Sequence, residues 1–326
     1  MSVTVAVLLF LGGLALTVVS SIVLARELDR IGERLGFSEA LLGIVTAVGA
    51  DAPEVSSAVA ALVTGHEKTG VGVVVGSNVF NIAALLGLSA LIAGPVRLHA
   101  HGLALNGAVA LAVALFGMLL AIDVIPASVA IVLVLAVVVP YVVLSSLHAR
   151  RRERLPDFLR KAVAEEQRDA RRDEHARRAT PVDALAVIPA LAAVIGGAYA
   201  MVASAQSLGD RWSVSDVLIG TVVLAGLTGI PNVLAAIRLA LHGRGAACVS
   251  ESLNSNNANI LIGLCVPALV FGLGNHSGVE TFTAWAMVVM TALGVAVGFG
   301  GGLTRREGAA IVTLYVAFVI ILSLVA

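Results

Sequence analysis

Long uninterrupted runs of apolar residues recur along almost the whole chain. At ~1.5 Å rise per residue, a helical run of ~20 residues crosses a ~30 Å hydrocarbon core. Ten runs meet that length: residues 3–24, 39–64, 70–93, 102–122, 124–146, 184–206, 215–241, 246–273, 281–301 and 307–325. They do not alternate polar and apolar positions, which excludes a transmembrane β-barrel. The pattern predicts an all-α membrane protein of ten transmembrane helices. The tightest division falls at Asp123 to Pro126, which splits an apolar stretch too long for one crossing.

Composition agrees with a bilayer as solvent: of 326 residues, 59% are hydrophobic and 13% charged, with a mean hydropathy of +0.99. These values exclude a water-soluble domain. Net charge is zero, so the distribution of charge carries the information. Eleven of the 21 Lys and Arg lie between Arg150 and Arg178. With that loop in the cytoplasm, Arg26, Arg30, Arg34, Arg97, Arg244, Arg305 and Arg306 fall on the same side, and Lys68 and Arg211 on the other. This is the bias of the positive-inside rule. Both termini are then expected on the non-cytoplasmic side of a plasma or inner membrane. Five spans per half would invert the second half relative to the first. Met1 to Leu24 lacks a basic leading region and a cleavage site, so it reads as span one. Cys248 and Cys265 share span eight and cannot bridge, which leaves packing as their role.

An internal repeat runs without gaps at a spacing of 178 residues. Pro53 matches Pro231, Val55 Val233, Gly65 Gly243, Ser77 Ser255, Asn78 Asn256, Asn81 Asn259 and Ile82 Ile260. Upstream, Ser38-Glu39 and Leu42-Gly43 match Ser215-Asp216 and Ile219-Gly220 at 177, so one residue is inserted before Pro231. The expected organisation is a first five-helix repeat at 1–148, a charged cytoplasmic loop at 149–183, and a second, inverted repeat at 184–326. The repeated motifs cover about 39–93 and 215–273. Inverted repeats with interrupted helices are a secondary-transporter architecture. Kinking by Pro and Gly alone explains the helix breaks, though not the matched Ser and Asn.

The candidate chemistry sits at those matched positions. In span two, Gly49 to Glu54 sets Pro53 beside two carboxylates, Asp51 and Glu54. Pro53 removes a helix donor and frees carbonyls to face an ion. An intramembrane carboxylate costs ~2.5–3.5 kcal/mol on insertion scales, which points to function. Hard cations take carboxylate, amide, hydroxyl and carbonyl oxygens, and all are present here. Against this, Glu54 can pair with a neighbouring helix, and Asp51 can cap the second half-helix. In span three Ser77 and Asn81 share a helix face, with Asn78 ~100° round. Ser255, Asn259 and Asn256 repeat the geometry in span eight. Two polar stripes are thus expected to face each other with Glu54 between them.

These residues carry a resemblance. Leu42-Gly43, Gly49 to Glu54 and Gly76-Ser77-Asn78-Val79-Phe80-Asn81-Ile82 resemble the first repeat of the cation/calcium exchanger superfamily, the group of sodium/calcium exchangers. The resemblance implies that Glu54, Ser77 and Asn81 line Ca²⁺ and Na⁺ sites, with Thr228, Ser255 and Asn259 matching in the second repeat. The chain departs from that pattern where Asn232 replaces the second Pro-Glu carboxylate. Ala50 and Gly229 replace a Thr and a Ser, Asp51 stands for a Ser, and Asn254 matches Gly76. Glu251, four residues before Ser255, extends the same helical face and is a candidate for the missing charge. It is equally placed to pair with Arg238.

The resulting expectation is a secondary antiporter moving Ca²⁺ against Na⁺ by alternating access, spans one and six sliding past a core of spans two, three, seven and eight. Its rivals are an H⁺-coupled Ca²⁺ or cation exchanger and a degenerate paralogue acting as scaffold or ion sensor. No cofactor, no nucleic-acid partner and no enzymatic activity is expected, since no phosphate loop, HExxH or nucleophile elbow appears. The expected metal ligands are Glu54, Ser77, Asn81, Ser255, Asn259, Glu251, Asp51, Thr228, Asn78, Asn256 and Asn232, and the expected partners are the lipid bilayer and the transported ions. In the loop, Leu155, Phe158, Leu159, Ala162 and Val163 recur at helical spacing, which suits an amphipathic helix on the inner leaflet or a solvated linker. The loop is too short for a separate calcium-sensing domain. His66, His99, His101, His242 and His276 lie near span ends and read as interfacial.

Overall fold

The computed structural model describes residues 1–35, 45, 47–147, 149–170, 181–274 and 276–326. Ser38-Glu39, Leu42-Gly43 and the loop arginines Arg171 to Arg178 lie outside them. The described chain is almost entirely helical: α1 (Val3–Arg34), α2 (Ala52–Val63), α3 (Glu67–Ala93), α4 (Ala100–Ala121), α5 (Ala127–Ser145) and α6 (Asp157–Ala170). There follow α7 (Pro181–Trp212), α8 (Asp216–Thr228), α9 (Ile230–Leu241), α10 (Ala247–Phe271), α11 (Gly278–Gly298) and α12 (Arg305–Val325). Eight of these helices are each long and apolar enough to cross a membrane, and α8 with α9 forms a ninth crossing bent by 46°. Span two is described from its helical turn at Ala47 to Ala50 and its second half, α2.

Helices α1 and α7 overrun the expected spans, each continuing to 32 residues through polar ends. They pack against each other closely enough that a Cβ on Gly13 would lie 2.7 Å from the Gly197 carbonyl oxygen. The remaining helices enclose the apolar core, where Ile82, Leu85, Leu86, Leu264, Met287 and Ile311 are fully buried.

Contacts sort the connections into two ends. At one end, strand β1 (Val96–Arg97) pairs antiparallel with β2 (Gly302–Leu303), and His101 meets Glu165 of α6 at 3.0 Å. At the other, Lys68 lies 3.4 Å from Glu280, and Arg211 bonds the Met1 carbonyl. For these connections this is the grouping that the charge bias requires, with α6 of the basic loop at the first end.

The loop helix α6 forms as its periodicity predicts, and the protein covers the second half of its apolar side. Ala162 and Val163 are fully buried and α6 packs against α4. Glu165 accepts from the Gly102 N–H at 2.8 Å, Glu166 from Tyr141 and Ser145, and Gln167 donates to the Ser145 and Leu147 carbonyls. Docking onto α4 and α5 buries Ala162 and Val163, while Phe158 of the same stripe stays exposed.

Candidate functional site

Two interrupted helices build the site. The first breaks at Asp51, with Pro53 in the opening turn of α2, where its missing N–H costs nothing. The second breaks at Gly229, with Pro231 in the opening turn of α9. Asp51 and Gly229 are repeat mates at 178, as are Glu54 and Asn232. Both carboxylates therefore belong to the first repeat.

Wider, π-helical turns begin at Ile82 in α3 and at Asn259 in α10, again at nearly matched positions. Such turns often accompany functional sites. They end the polar stripes that start at Ser77 and Ser255.

The stripes meet across an approximate two-fold relation. Asn78 Nδ2 donates to the Asn256 carbonyl at 3.3 Å, and Asn256 Nδ2 donates to the Asn78 carbonyl at 3.1 Å. Repeat mates exchanging the same bond is what a two-fold contact between equivalent surfaces produces. Small residues let the helices approach: a Cβ on Gly76 would lie 2.3 Å from the Thr221 carbonyl oxygen.

Asp51 is the hub of the polar network. Its Oδ1 accepts from Ser255 Oγ at 2.6 Å and from Asn232 Nδ2 at 2.8 Å. The same Asn232 nitrogen donates to Glu54 Oε1 at 3.1 Å. Asn81 Nδ2 donates to Ser255 Oγ at 3.1 Å and to Asn256 Oδ1 at 3.0 Å. Asp51 stands at the N-cap of α2 without capping it through its side chain, so its carboxylate faces the second repeat. Glu54 likewise bonds across the interface, to an amide instead of a cation.

The network leaves acceptors over. Asp51 Oδ2, Glu54 Oε2, Ser77 Oγ and Asn81 Oδ1 are buried without a protein partner, as are both amide atoms of Asn259. Unpaired buried polar atoms are costly, so these unused oxygens, two of them carboxylate, call for a bound species. Among the described residues no group of three or more His, Cys, Asp or Glu is present. Amide and hydroxyl oxygens must complete any cation shell, as suits a hard cation.

Other predicted ligands lie less directly in the network. Thr228 is buried and turns its hydroxyl back to the Leu224 carbonyl at 2.8 Å. Asn259 is buried but makes no bond to the other site residues. Glu251 is half-buried and interacts with a partner, while Arg238 is exposed. Sequence reasoning passed over Ser57 and Ser252. Ser57 is fully buried one turn after Glu54, its hydroxyl unpartnered. Ser252 donates to the Asn81 carbonyl at 3.4 Å. Their spacing of three from Glu54 and from Ser255 was the available signal.

A helical membrane bundle whose interrupted helices meet around buried carboxylates and unused oxygens is an ion transporter of the multi-pass, secondary-active class. The sodium/calcium exchanger protein family matches residues 5–148 and 183–324, and the chain belongs to that family. The sodium/calcium exchanger MaX1 of Methanosarcina acetivorans is 24% identical over 347 residues, covering 98% of this chain and 99% of that protein. Human sodium/potassium/calcium exchanger 1 is 38% identical over 77 residues, which span 24% of this chain and only 7% of the human protein. Among solved structures, the sodium-calcium exchanger NCX_Mj matches with a TM-score of 0.61 at 23% identity, covering 97% of this chain and 98% of that one. The H⁺/Ca²⁺ exchanger CAX matches with a TM-score of 0.74 at 14% identity, covering 98% and 85%. Both structural likenesses establish the fold.

Proposed function

We propose that the chain exchanges Ca²⁺ for Na⁺ across a plasma or inner membrane by alternating access. Its two inverted five-helix repeats would be residues 1–148 and 184–326, joined by the cytoplasmic loop 149–183, with both termini on the opposite side. The observation that carries this reading is that Asp51, Glu54, Ser77 and Asn81 are all buried, each with an oxygen left unpartnered. Two carboxylates match the charge of one Ca²⁺, and the neighbouring amide and hydroxyl oxygens raise the ligand number toward the six to eight that Ca²⁺ takes. Asp51 then supplies the charge that Asn232 lacks, in place of Glu251. Ser255 and Asn232 hold the carboxylates in position, Asn256 holds Asn81 and with Asn78 keeps the two repeats in register, and Asn259 and Thr228 complete the second side. The closely packed pair α1 and α7 would slide past the core formed by α2, α3, α8, α9 and α10.

Coupling to H⁺ is the second reading. It is favoured by Asp51 and Glu54 sharing a single amide nitrogen of Asn232, since protons neutralise such a pair as a metal does. Reconstituted liposomes separate the two: Ca²⁺ flux is expected under an imposed Na⁺ gradient, and flux under a pH gradient alone would transfer the assignment to H⁺. No gradient-driven flux, or undiminished flux in Glu54→Gln, overturns antiport through this site.

A further inference from the structure

The repeats differ at the end of the bundle opposite the basic loop. Here Gln206 of α7, which is buried, donates from Nε2 to Oγ1 of Thr69, near the start of α3. Thr69 is fully buried and donates in turn to the Asp216 carbonyl at 3.1 Å, at the first residue of α8. One chain of hydrogen bonds therefore ties α7 to two elements of the core. The backbones beneath it touch: a Cβ on Gly220 would lie 2.3 Å from the Thr69 carbonyl oxygen. Thr69 is thus tied to α8, and Gln206 adds a side-chain hydrogen bond from α7 to the packing of Gly209 against Ile219.

The repeat does not reproduce this chain. Downstream of the inserted residue the spacing is 178, which matches Thr69 to Ala247. Ala247 has no hydroxyl, so the same relay cannot form at the basic-loop end. When two states exchange the conformations of two repeats, a contact available to one repeat alone favours the state that contains it.

We propose that Gln206, Thr69 and the Asp216 carbonyl form a one-sided latch that closes the end opposite the basic loop and biases the resting protein toward opening at the basic-loop end. The inference rests on the reading of α1 and α7 as the moving pair. Gln206 and Thr69 act as positioning residues, since neither touches the carboxylate network. Ser204 provides the contrast on the same helix: it is buried, but it donates to the Ala200 carbonyl within α7 at 2.6 Å and ties nothing to the core.

The test uses the full chain in lipid nanodiscs, with Cys248 and Cys265 replaced by Ala and spin labels at the exposed positions Thr64 and Asp210. Pulsed electron spin resonance then reads the distance between the core and α7 at the latched end. Loss of one buried hydrogen bond corresponds to roughly a 2- to 12-fold change in the ratio of two states. Gln206→Leu and Thr69→Val are each expected to raise the longer-distance population by about that factor, while Ser204→Ala leaves it unchanged. An unshifted distribution in both latch variants overturns the latch, as does an equal shift in Ser204→Ala. Ca²⁺ flux measured on the same variants separates the two proposals. Shifted distances without any flux keep the latch and remove antiport; intact flux with unshifted distances removes the latch alone.

Discussion

Replacing Asp51 by Asn removes one of two buried charges and leaves the hydrogen-bond geometry in place. An amide oxygen still accepts from Ser255 and Asn232, as Oδ1 does now. Two unit charges ~4 Å apart interact by about 4 kcal/mol at an effective dielectric of ~20, and a divalent ion doubles this to about 8. The amide oxygen that replaces the carboxylate can still ligate Ca²⁺ and recovers part of this, several kcal/mol. The remaining loss of about 3 kcal/mol corresponds to a roughly 150-fold higher Ca²⁺ concentration for half-maximal flux. Without Ca²⁺, the variant should melt no lower than the wild type, because a charge is removed and the oxygen that accepts from Ser255 and Asn232 is kept. Flux into proteoliposomes gives the half-saturating concentration. Thermal unfolding against Ca²⁺ concentration gives the affinity independently, since binding stabilises by RT ln(1 + [L]/Kd). Half-saturation within threefold of wild type would refute the reasoning. A large rise in Glu251→Gln under the same conditions would place the second charge on Glu251 instead.

Gly76→Ala forces a Cβ to 2.3 Å from the Thr221 carbonyl, and overpacking of this kind costs ~1–3 kcal/mol or more. Its melting temperature should fall, while Gly12→Ala, with nothing within 4 Å, should not change it. Asn256→Leu removes the bond to the Asn78 carbonyl and the acceptor for Asn81. A loss of about 3 kcal/mol is expected, read by thermal unfolding, and an unchanged melting point would deny the two-fold contact its structural role. Glu165→Ala deprives the first turn of α4 of its acceptor at Gly102, at a cost of ~1 kcal/mol. Hydrogen exchange across α6 should accelerate about fivefold; protection equal to wild type would mean that the apolar face, Glu166 and Gln167 hold α6 without Glu165.

Much of the fold was legible because lipid makes one demand of every crossing. The apolar runs therefore located the helices, and the 178-residue spacing located the pairs that meet, Glu54 with Asn232 and Asn78 with Asn256. What the spacing could not carry was direction. Asp51 precedes a proline, and either a capping or a facing carboxylate fits that position. Its backbone at φ −81° and ψ −4° turns the side chain toward Ser255, a choice set by the partner helix. The loop helix shows the same limit. Periodicity gave the helix, but Ala162 and Val163 are as apolar against α4 as against lipid, and only the contacts made by Glu165, Glu166 and Gln167 decide. Gln206 went unnoticed because it closes its apolar run, where polar residues are expected at the membrane interface.

The departures from the exchanger pattern become intelligible as a coupled pair. A glutamate at position 232 would bring a third carboxylate beside Asp51 and Glu54, where like charges repel strongly. Asparagine there instead donates one amide group to both, turning a repulsion into a bridge. Conversely, Gly229, the mate of Asp51, has no room for a side chain, since its Cβ would meet the Phe80 ring at 2.8 Å. The second carboxylate therefore fits on the first repeat, and Asn232 fits the chain because Asp51 is present. This predicts non-additivity. Asn232→Glu alone should impair Ca²⁺ flux through crowding of charge, whereas Asn232→Glu with Asp51→Ser, which keeps two carboxylates, should recover much of it. A double-mutant cycle on the half-saturating Ca²⁺ concentration is expected to show a coupling of ~1–3 kcal/mol. Additive effects of the two substitutions would mean that Asp51 and Asn232 changed independently, and the site would then have lost a charge without replacing it.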